Sequence, residues 1–288
     1  MMSSRPGFTL VTSFLSLLAA VGVVYMFATS QVVWDEVLTY LTAPAIFYGI
    51  YVTVGLTMIS MSLGIMLGVI SALMSISPSP IPRVFAQFYV WLFRGIPLLV
   101  LIIFCYNFAL FAPRIGFGEF SVSTNAVMTS FTSAVLALSL HEGAYMCEIV
   151  RGGILSVDKG QIEAARALGI SRRKTFWRIV LPQALTVVIP ATGNQTIGML
   201  KATSLVSVIG VHDLLTQAQF IYTKNYLIIE LLIVAAVWYL GLAAVAGLGQ
   251  RYLEYWISSR KAGRRAMTPA LRSAVASSEG MTGEVRSS

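Results

Sequence analysis

Charge is what this sequence has least of: Asp, Glu, Lys and Arg make up 11% of it, against 57% hydrophobic residues and a mean hydropathy of +0.78. A soluble globular chain carries about a quarter charged residues, so that class is excluded. Cysteine is nearly absent too. Cys105 and Cys147 lie in or beside different apolar runs, without metal or redox spacing, and read as small buried residues. Histidine occurs only at positions 141 and 212, with no nucleophile–base set beside either. The phosphate-binding pattern GxxxxGK followed by Ser or Thr is missing, so the chain does not hydrolyse ATP by the P-loop route. No catalytic residue, metal site or cofactor is predicted. The formal charge is +8, yet the basic residues are parcelled between apolar runs instead of gathered on one soluble face. That distribution speaks against nucleic acid as a partner and makes the charges a topology signal.

What the chain has in abundance is uncharged sequence. Many runs approach the roughly 20 residues that cross a bilayer core of about 30 Å as helix. They are continuous instead of alternating, and lipid admits only helices or closed barrels, so helices are predicted. The fold class is therefore an all-α integral membrane protein with six transmembrane helices. Residues 1–46 hold an extra first span and an outer loop, 47–257 a five-helix core, and 258–288 a basic, Ser/Ala/Gly-rich tail too poor in apolar residues for a core and expected to be disordered. The first span, Phe8 to Ala28, exceeds the roughly 7–15 apolar residues of a signal peptide and lacks a clear cleavage site, so it is read as retained.

Along the core, the second span (Phe47 to Ser75) places Gly64, Gly68 and Ala72 four apart, a stripe that lets helix backbones approach closely. Ser77 to Pro82 breaks the chain. The third span (Phe85 to Leu110) contains Arg94-Gly95-Ile96-Pro97, where Pro97 should kink the helix and Arg94 brings a charge to a span. The fourth (Ser123 to Cys147) ends in His141, Glu142 and Glu148, with Arg151 placed to pair with Glu148 at i, i+3. In the fifth, Pro190, Gly193, Asn194, Gln195 and Thr196 predict a broken helix with polar groups at mid-membrane, followed by Lys201 and Ser204. A polar loop, Gly210 to Asn225, leads to the sixth span, Leu231 to Gln250. Intramembrane ionisable and amide groups mark candidate pathway residues: Arg94, His141, Glu142, Asn194, Gln195, Lys201 and Ser204.

Basic residues set the orientation. With the amino terminus inside, the inner segments hold Arg5, Arg83, the seven from Arg151 to Arg178 and the seven from Arg251 on, whereas the outer segments hold only Arg114 and Lys224. Both termini are then cytoplasmic and the protein is multi-pass in the inner membrane. Membrane lipid is a partner, and the tail cluster Arg260 to Arg265 would be drawn to anionic headgroups at about 1 kcal/mol per charge.

One inner segment is more than a connector. Ser156 to Gln183 reads SVDKGQIEAARALGISRRKTFWRIVLPQ. Asp158 can cap a first short helix, with Gln161 completing a capping-box pattern. Gly169 sits where a left-handed C-terminal cap belongs. Ser171 can cap a second helix whose Phe176, Ile179 and Val180 share a face. Pro182 should turn the chain before the next span. Two readings fit: an amphipathic interfacial hairpin, or a rigid plug shaped for another protein.

The second reading gains from a resemblance. EAARALG followed by IVLP is similar to the EAA loop of ATP-binding-cassette import permeases, and EIVRGGI (Glu148 to Ile154), GQIEAARALG (Gly160 to Gly169), LPQA (Leu181 to Ala184), KATSLVSVIG (Lys201 to Gly210) and the upstream FRGIPLL (Phe93 to Leu99) occur in order. Together they resemble the polar amino acid uptake subfamily over about Phe47 to Tyr255. Ala202 and Leu101 depart from that pattern, in which an acid and a glutamine are common at the two positions. The resemblance implies that Gln161, Glu163, Ala164, Ala165, Leu168, Gly169 and Pro182 belong to a coupling loop seated in a cytoplasmic ATPase. It implies that the ATP and Mg are bound by that partner, a dimer. It further implies a second permease chain, identical or a paralogue, and an external binding protein that delivers an amino acid. The alternatives are a channel or permease for another small polar solute, and an intramembrane enzyme. For the last, His141 beside Glu142 is too thin a set, since adjacent helix residues point about 100° apart.

Overall fold

Lipid offers no hydrogen-bond partners to an open backbone, and the chain meets that constraint almost wholly with helices. The computed structural model describes residues 6–29, 31–116 and 118–284. It runs α1 (Pro6–Ala28), α2 (Trp34–Leu41), α3 (Pro44–Ser75), α4 (Pro80–Gly95) and α5 (Leu98–Tyr106). After a two-stranded hairpin of β1 (Arg114–Ile115) and β2 (Val122–Ser123) come the single turn α6 (Thr124–Val127), α7 (Ser130–Leu155), α8 (Lys159–Ala167), α9 (Arg172–Thr175), α10 (Leu181–Ala202), α11 (Leu214–Asn225) and α12 (Ile228–Glu284). Among the described residues three helical stretches are long and apolar enough to cross a membrane: 44–75, 172–209 and 228–256. The pair α4 and α5 makes a fourth if it counts as one bent span.

The core is organised on α3 against α7. The small-residue stripe carries that contact. A methyl at Gly64 would lie 2.9 Å from Glu142 Cβ, and one at Gly68 would overlap Met146 and come within 2.9 Å of its carbonyl carbon. Ala72, fully buried, continues the row against Met146, Cys147 and Val150. Rows spaced by four on both helices thus interlock backbone to backbone. Gly68→Val is expected to destabilise the fold by about 1–3 kcal/mol through overpacking, whereas Gly55→Val, with nothing within 4 Å, should change little. Thermal unfolding of both variants in mild detergent checks this, and equal midpoints would contradict it.

Several boundaries differ from those read in the sequence. The third span bends at Pro97 as expected, and the bend is large, 100° between α4 and α5. Ile96, the residue before the proline, is extended (φ −87°, ψ 128°), as Pro Cδ requires, and Pro97 then caps α5. The helix read as the fourth span, α7, begins at Ser130 instead of Ser123 and is not among the stretches apolar enough to count as a span; Val122–Ser123 pairs with Arg114–Ile115, and the hydroxyl of Thr129 accepts the N–H of Thr132, 3.2 Å away, to start α7. The fifth span is not broken at Pro190, and the chain does not turn at Pro182. Helix is continuous over 172–209. The carbonyl that Pro182 would crowd is relieved by a π-turn over Phe176–Val180, so the proline is absorbed by a local widening. The stretch read as a polar loop from Gly210 holds α11, capped by buried Asp213. Where a disordered tail was expected, the backbone of α12 continues as helix to Glu284, in a stretch with Ala, Arg and Met as good helix formers. The side chains of the Arg260 to Arg265 cluster lie outside the described residues.

Candidate functional site

Two constructions could carry function: the loop between α7 and α10, and a polar row inside the bundle. The loop starts with Ser156, whose hydroxyl donates to the Gly153 carbonyl at 2.8 Å and closes α7. Asp158 then caps α8, its carboxylate accepting the Gly160 N–H at 2.6 Å. The capping box itself does not form. The side chain of Gln161 instead accepts a hydrogen bond from Gln183 Nε2 at 2.7 Å, and the same amide group of Gln183 donates to the Ile179 carbonyl at 2.9 Å. That pairing ties the first loop helix to the base of α10, across 22 residues of sequence. At the other end of α8, Ile170 N–H reaches the Ala165 carbonyl and Gly169 N–H the Arg166 carbonyl, both at 3.0 Å. This pair of bonds is the Schellman closure, and Gly169 adopts the left-handed conformation it needs, φ +71°. Ser171 stands in N-cap geometry before α9, although its hydroxyl makes no cap bond.

The loop is therefore bent and pinned at three points, with an inner and an outer side. Val157, Ala165 and Thr175 are buried. Glu163, Ala164 and Gly169 are exposed, and Leu168 is 79% exposed. Of the residues singled out from sequence, Ala165 packs inward, Pro182 lies in the helix base, and Gln161 holds the two parts together.

Inside the bundle, four of the candidate pathway residues meet in two pairings on α7, one toward α10 and one toward the end of α4. Glu142 is 4% exposed and accepts a hydrogen bond from Gln195 Nε2 at 3.2 Å. One residue earlier, the His141 ring lies 4.9 Å from that of Tyr145, and the Arg94 guanidinium stands 5.0 Å from the centre of the same tyrosine ring. The Tyr89 hydroxyl donates to the Leu140 carbonyl at 2.8 Å. Asn194, although adjacent to Gln195, faces elsewhere: its Oδ1 accepts from Gln250 Nε2 on α12 at 3.0 Å, and Gln250 also donates to Glu254 at 2.8 Å. Lys201 and Ser204 stand apart at the far end of α10, where the Ser204 hydroxyl donates to the Lys201 carbonyl at 2.8 Å. Glu148 and Arg151 pair at 2.5 Å as their spacing predicts.

Sequence reasoning missed Tyr89, Tyr145, Gln250 and Asp213. Asp213 is fully buried, accepts the Thr216 N–H at 3.0 Å and its hydroxyl at 2.6 Å, and takes the Tyr239 hydroxyl at 3.1 Å. The available signal was an Asp one residue before an apolar pair and shortly after Gly210, whose φ of +71° ends the preceding helical segment.

With this geometry in place, comparison with known proteins adds the following. A family model described as the binding-protein-dependent transport system inner membrane component matches residues 64–259. The chain is 38% identical over 249 residues to the arginine transport system permease protein ArgU of Corynebacterium glutamicum, covering 86% of this chain and 78% of that one. It is 42% identical over 184 residues to the L-cystine transport system permease protein TcyB of Bacillus subtilis, covering 63% and 73%. Among solved structures, an amino acid ABC transporter crystallised with histidines superposes with a TM-score of 0.69 at 32% identity, over 78% of this chain and 99% of that one. The inward-facing MetNI methionine ABC transporter superposes at 0.58 with 18% identity, over 74% and 96%, a likeness of fold alone.

Proposed function

The chain belongs to the binding-protein-dependent transport system inner membrane component family, and on that premise we propose that it is the permease subunit of an ATP-driven importer for a polar amino acid. The observation that carries the mechanism is the loop from Ser156 to Gln183, pinned by the Gly169 closure and the Gln161–Gln183 bond while it presents Glu163, Ala164 and Leu168 outward. A lever must be stiff to transmit motion, and this loop is stiff where it joins the spans. ATP and Mg are bound by a partner ATPase dimer, whose closure pushes the loop. The interlocked helices then rock between inward and outward access, since packed interfaces switch between discrete arrangements. A second permease chain, identical or a paralogue, completes the pathway, and an external binding protein supplies the substrate. Relatives named for arginine, glutamine, cystine and nopaline support the amino acid class. Arg94, His141, Glu142 and Gln195 are the residues proposed to meet that substrate's charges: α7 presents Glu142 to Gln195 of α10, and His141 to the Tyr145 ring that Arg94 of α4 also approaches.

The protein is a multi-pass inner membrane component, and the proposed orientation puts both termini and the loop in the cytoplasm. Single-cysteine variants at Arg114 and Lys224 should label from the periplasmic side, and those at Lys174 and Arg264 only from the cytoplasmic side. Periplasmic labelling at Lys174 would overturn the orientation. The subunit assignment is tested by mild-detergent purification from the native membrane. An ATPase chain should co-purify, and its absence alongside intact, folded permease would count against the proposal.

A further inference from the structure

Behind the coupling helix lies a groove of about 300 Å³ that the transport reading does not use. Its walls are apolar: Ile76 at the end of α3, Leu155 at the end of α7, Ile162 on α8 and Phe176 in the π-turn before α10. Three cations stand on its rim, Lys159, Arg166 and Arg172, all exposed, and no carboxylate lines it. None of the three enters an ion pair among the described residues. Lys159, Ile162 and Arg166 share one face of α8, at about 100° per residue, whereas Ala164 and Leu168 project from the opposite side. The groove is thus turned away from Ala164 and Leu168 and toward the ends of α3 and α7, while Glu163, four residues from Lys159 and three from Arg166, stands on the cations' side of α8 without lining it.

We infer that this groove binds one anionic phospholipid of the inner leaflet, its phosphate on Lys159, Arg166 and Arg172 and the upper part of an acyl chain against Ile76, Leu155, Ile162 and Phe176. The pairing of groups selects the occupant. Basic pockets at the cytoplasmic ends of membrane helices recognise anionic headgroups, at about 1 kcal/mol per cation near the surface. An apolar wall directly beneath them suits a molecule that carries a charged headgroup on hydrocarbon chains, which inorganic phosphate is not. The walls come from helix ends that converge at one membrane interface, where such a lipid already resides. Because the groove spans α3, α7, α8 and the start of α10, its occupant braces the loop against the spans it moves.

The inference rests on the membrane reading and not on transport, so it is tested by binding. The full-length permease, purified in mild detergent, is titrated with phosphatidylglycerol, phosphatidylcholine or inorganic phosphate and read by native mass spectrometry. Phosphatidylglycerol should be retained well beyond phosphatidylcholine, and phosphate should neither bind nor compete. Joint replacement Lys159→Gln, Arg166→Gln and Arg172→Gln should weaken phosphatidylglycerol binding on the order of a hundredfold. Because all three positions are exposed, the variant should fold, which its thermal midpoint verifies. Ile162→Gln should weaken the same lipid without touching a charge. Equal retention of the two lipids, unchanged binding by the triple variant, or competition by inorganic phosphate would each overturn the inference. So would a triple variant that keeps its lipid and loses only ATPase attachment, since the cations would then be a protein contact.

Discussion

Gly169→Val is expected to uncouple transport, lowering uptake by at least tenfold while leaving the protein folded and in the membrane. Gly169 has φ +71°, and a Cβ built on it meets nothing within 4 Å. Space is therefore not the constraint; backbone conformation is. A left-handed residue costs an ordinary side chain about 1–2 kcal/mol, and a β-branched one is a genuine outlier there. Valine would open the Schellman closure, free the Arg166 and Ala165 carbonyls, and redirect the chain between α8 and α9. Leu168, held outward by that closure, would be displaced. Asparagine tolerates the left-handed region, so Gly169→Asn should keep most of the activity. The ordering Gly, then Asn, then Val in binding-protein-stimulated ATP hydrolysis checks the cause as well as the effect. Equal activity of all three would reduce the loop to an interfacial hairpin.

The second large effect is expected at Glu142. A buried carboxylate is costly unless it is paired, and Glu142, midway along α7 and 4% exposed, has only an amide, Gln195, as its hydrogen-bonding side-chain partner among the described residues. Glu142→Gln is nearly isosteric and can hold a hydrogen bond to Gln195, so folding and yield should survive. If the carboxylate serves the substrate, uptake should fall at least tenfold, with the thermal midpoint in detergent unchanged. Parent-like uptake by Glu142→Gln would make Glu142 a packing tie beneath Gly64 and nothing more.

How far the sequence disclosed this architecture depends on how local the controlling physics is. Asp158 and Gly169 were legible because a cap and a left-handed closure are decided within a few residues, and both sit as read. The Gly64, Gly68, Ala72 stripe was legible because its spacing of four defines one helix face. Gln161 was misassigned to its own helix cap, since its partner Gln183 comes close only after the loop folds back. Pro182 predicts a turn because proline disfavours helix at the residue before it, and Pro190 a break, yet a π-turn precedes the first and the helix runs on through the second. Asn194 and Gln195 looked like one polar patch, but adjacent helix positions diverge, and the structure sends one to α12 and the other to α7. Asp213 was passed over inside a polar stretch because its burial comes from α3 and α12, far away in sequence.

The central claim is that this chain passes substrate only when a partner hydrolyses ATP. It is tested most directly by reconstituting the permease with its co-purified ATPase in liposomes, with binding protein and labelled amino acid outside and ATP with Mg inside. Accumulation above the external concentration that requires ATP and disappears with Gly169→Val is the predicted result. Flux that stops at equal concentrations and ignores ATP would mean that the chain is a channel, and would contradict the account.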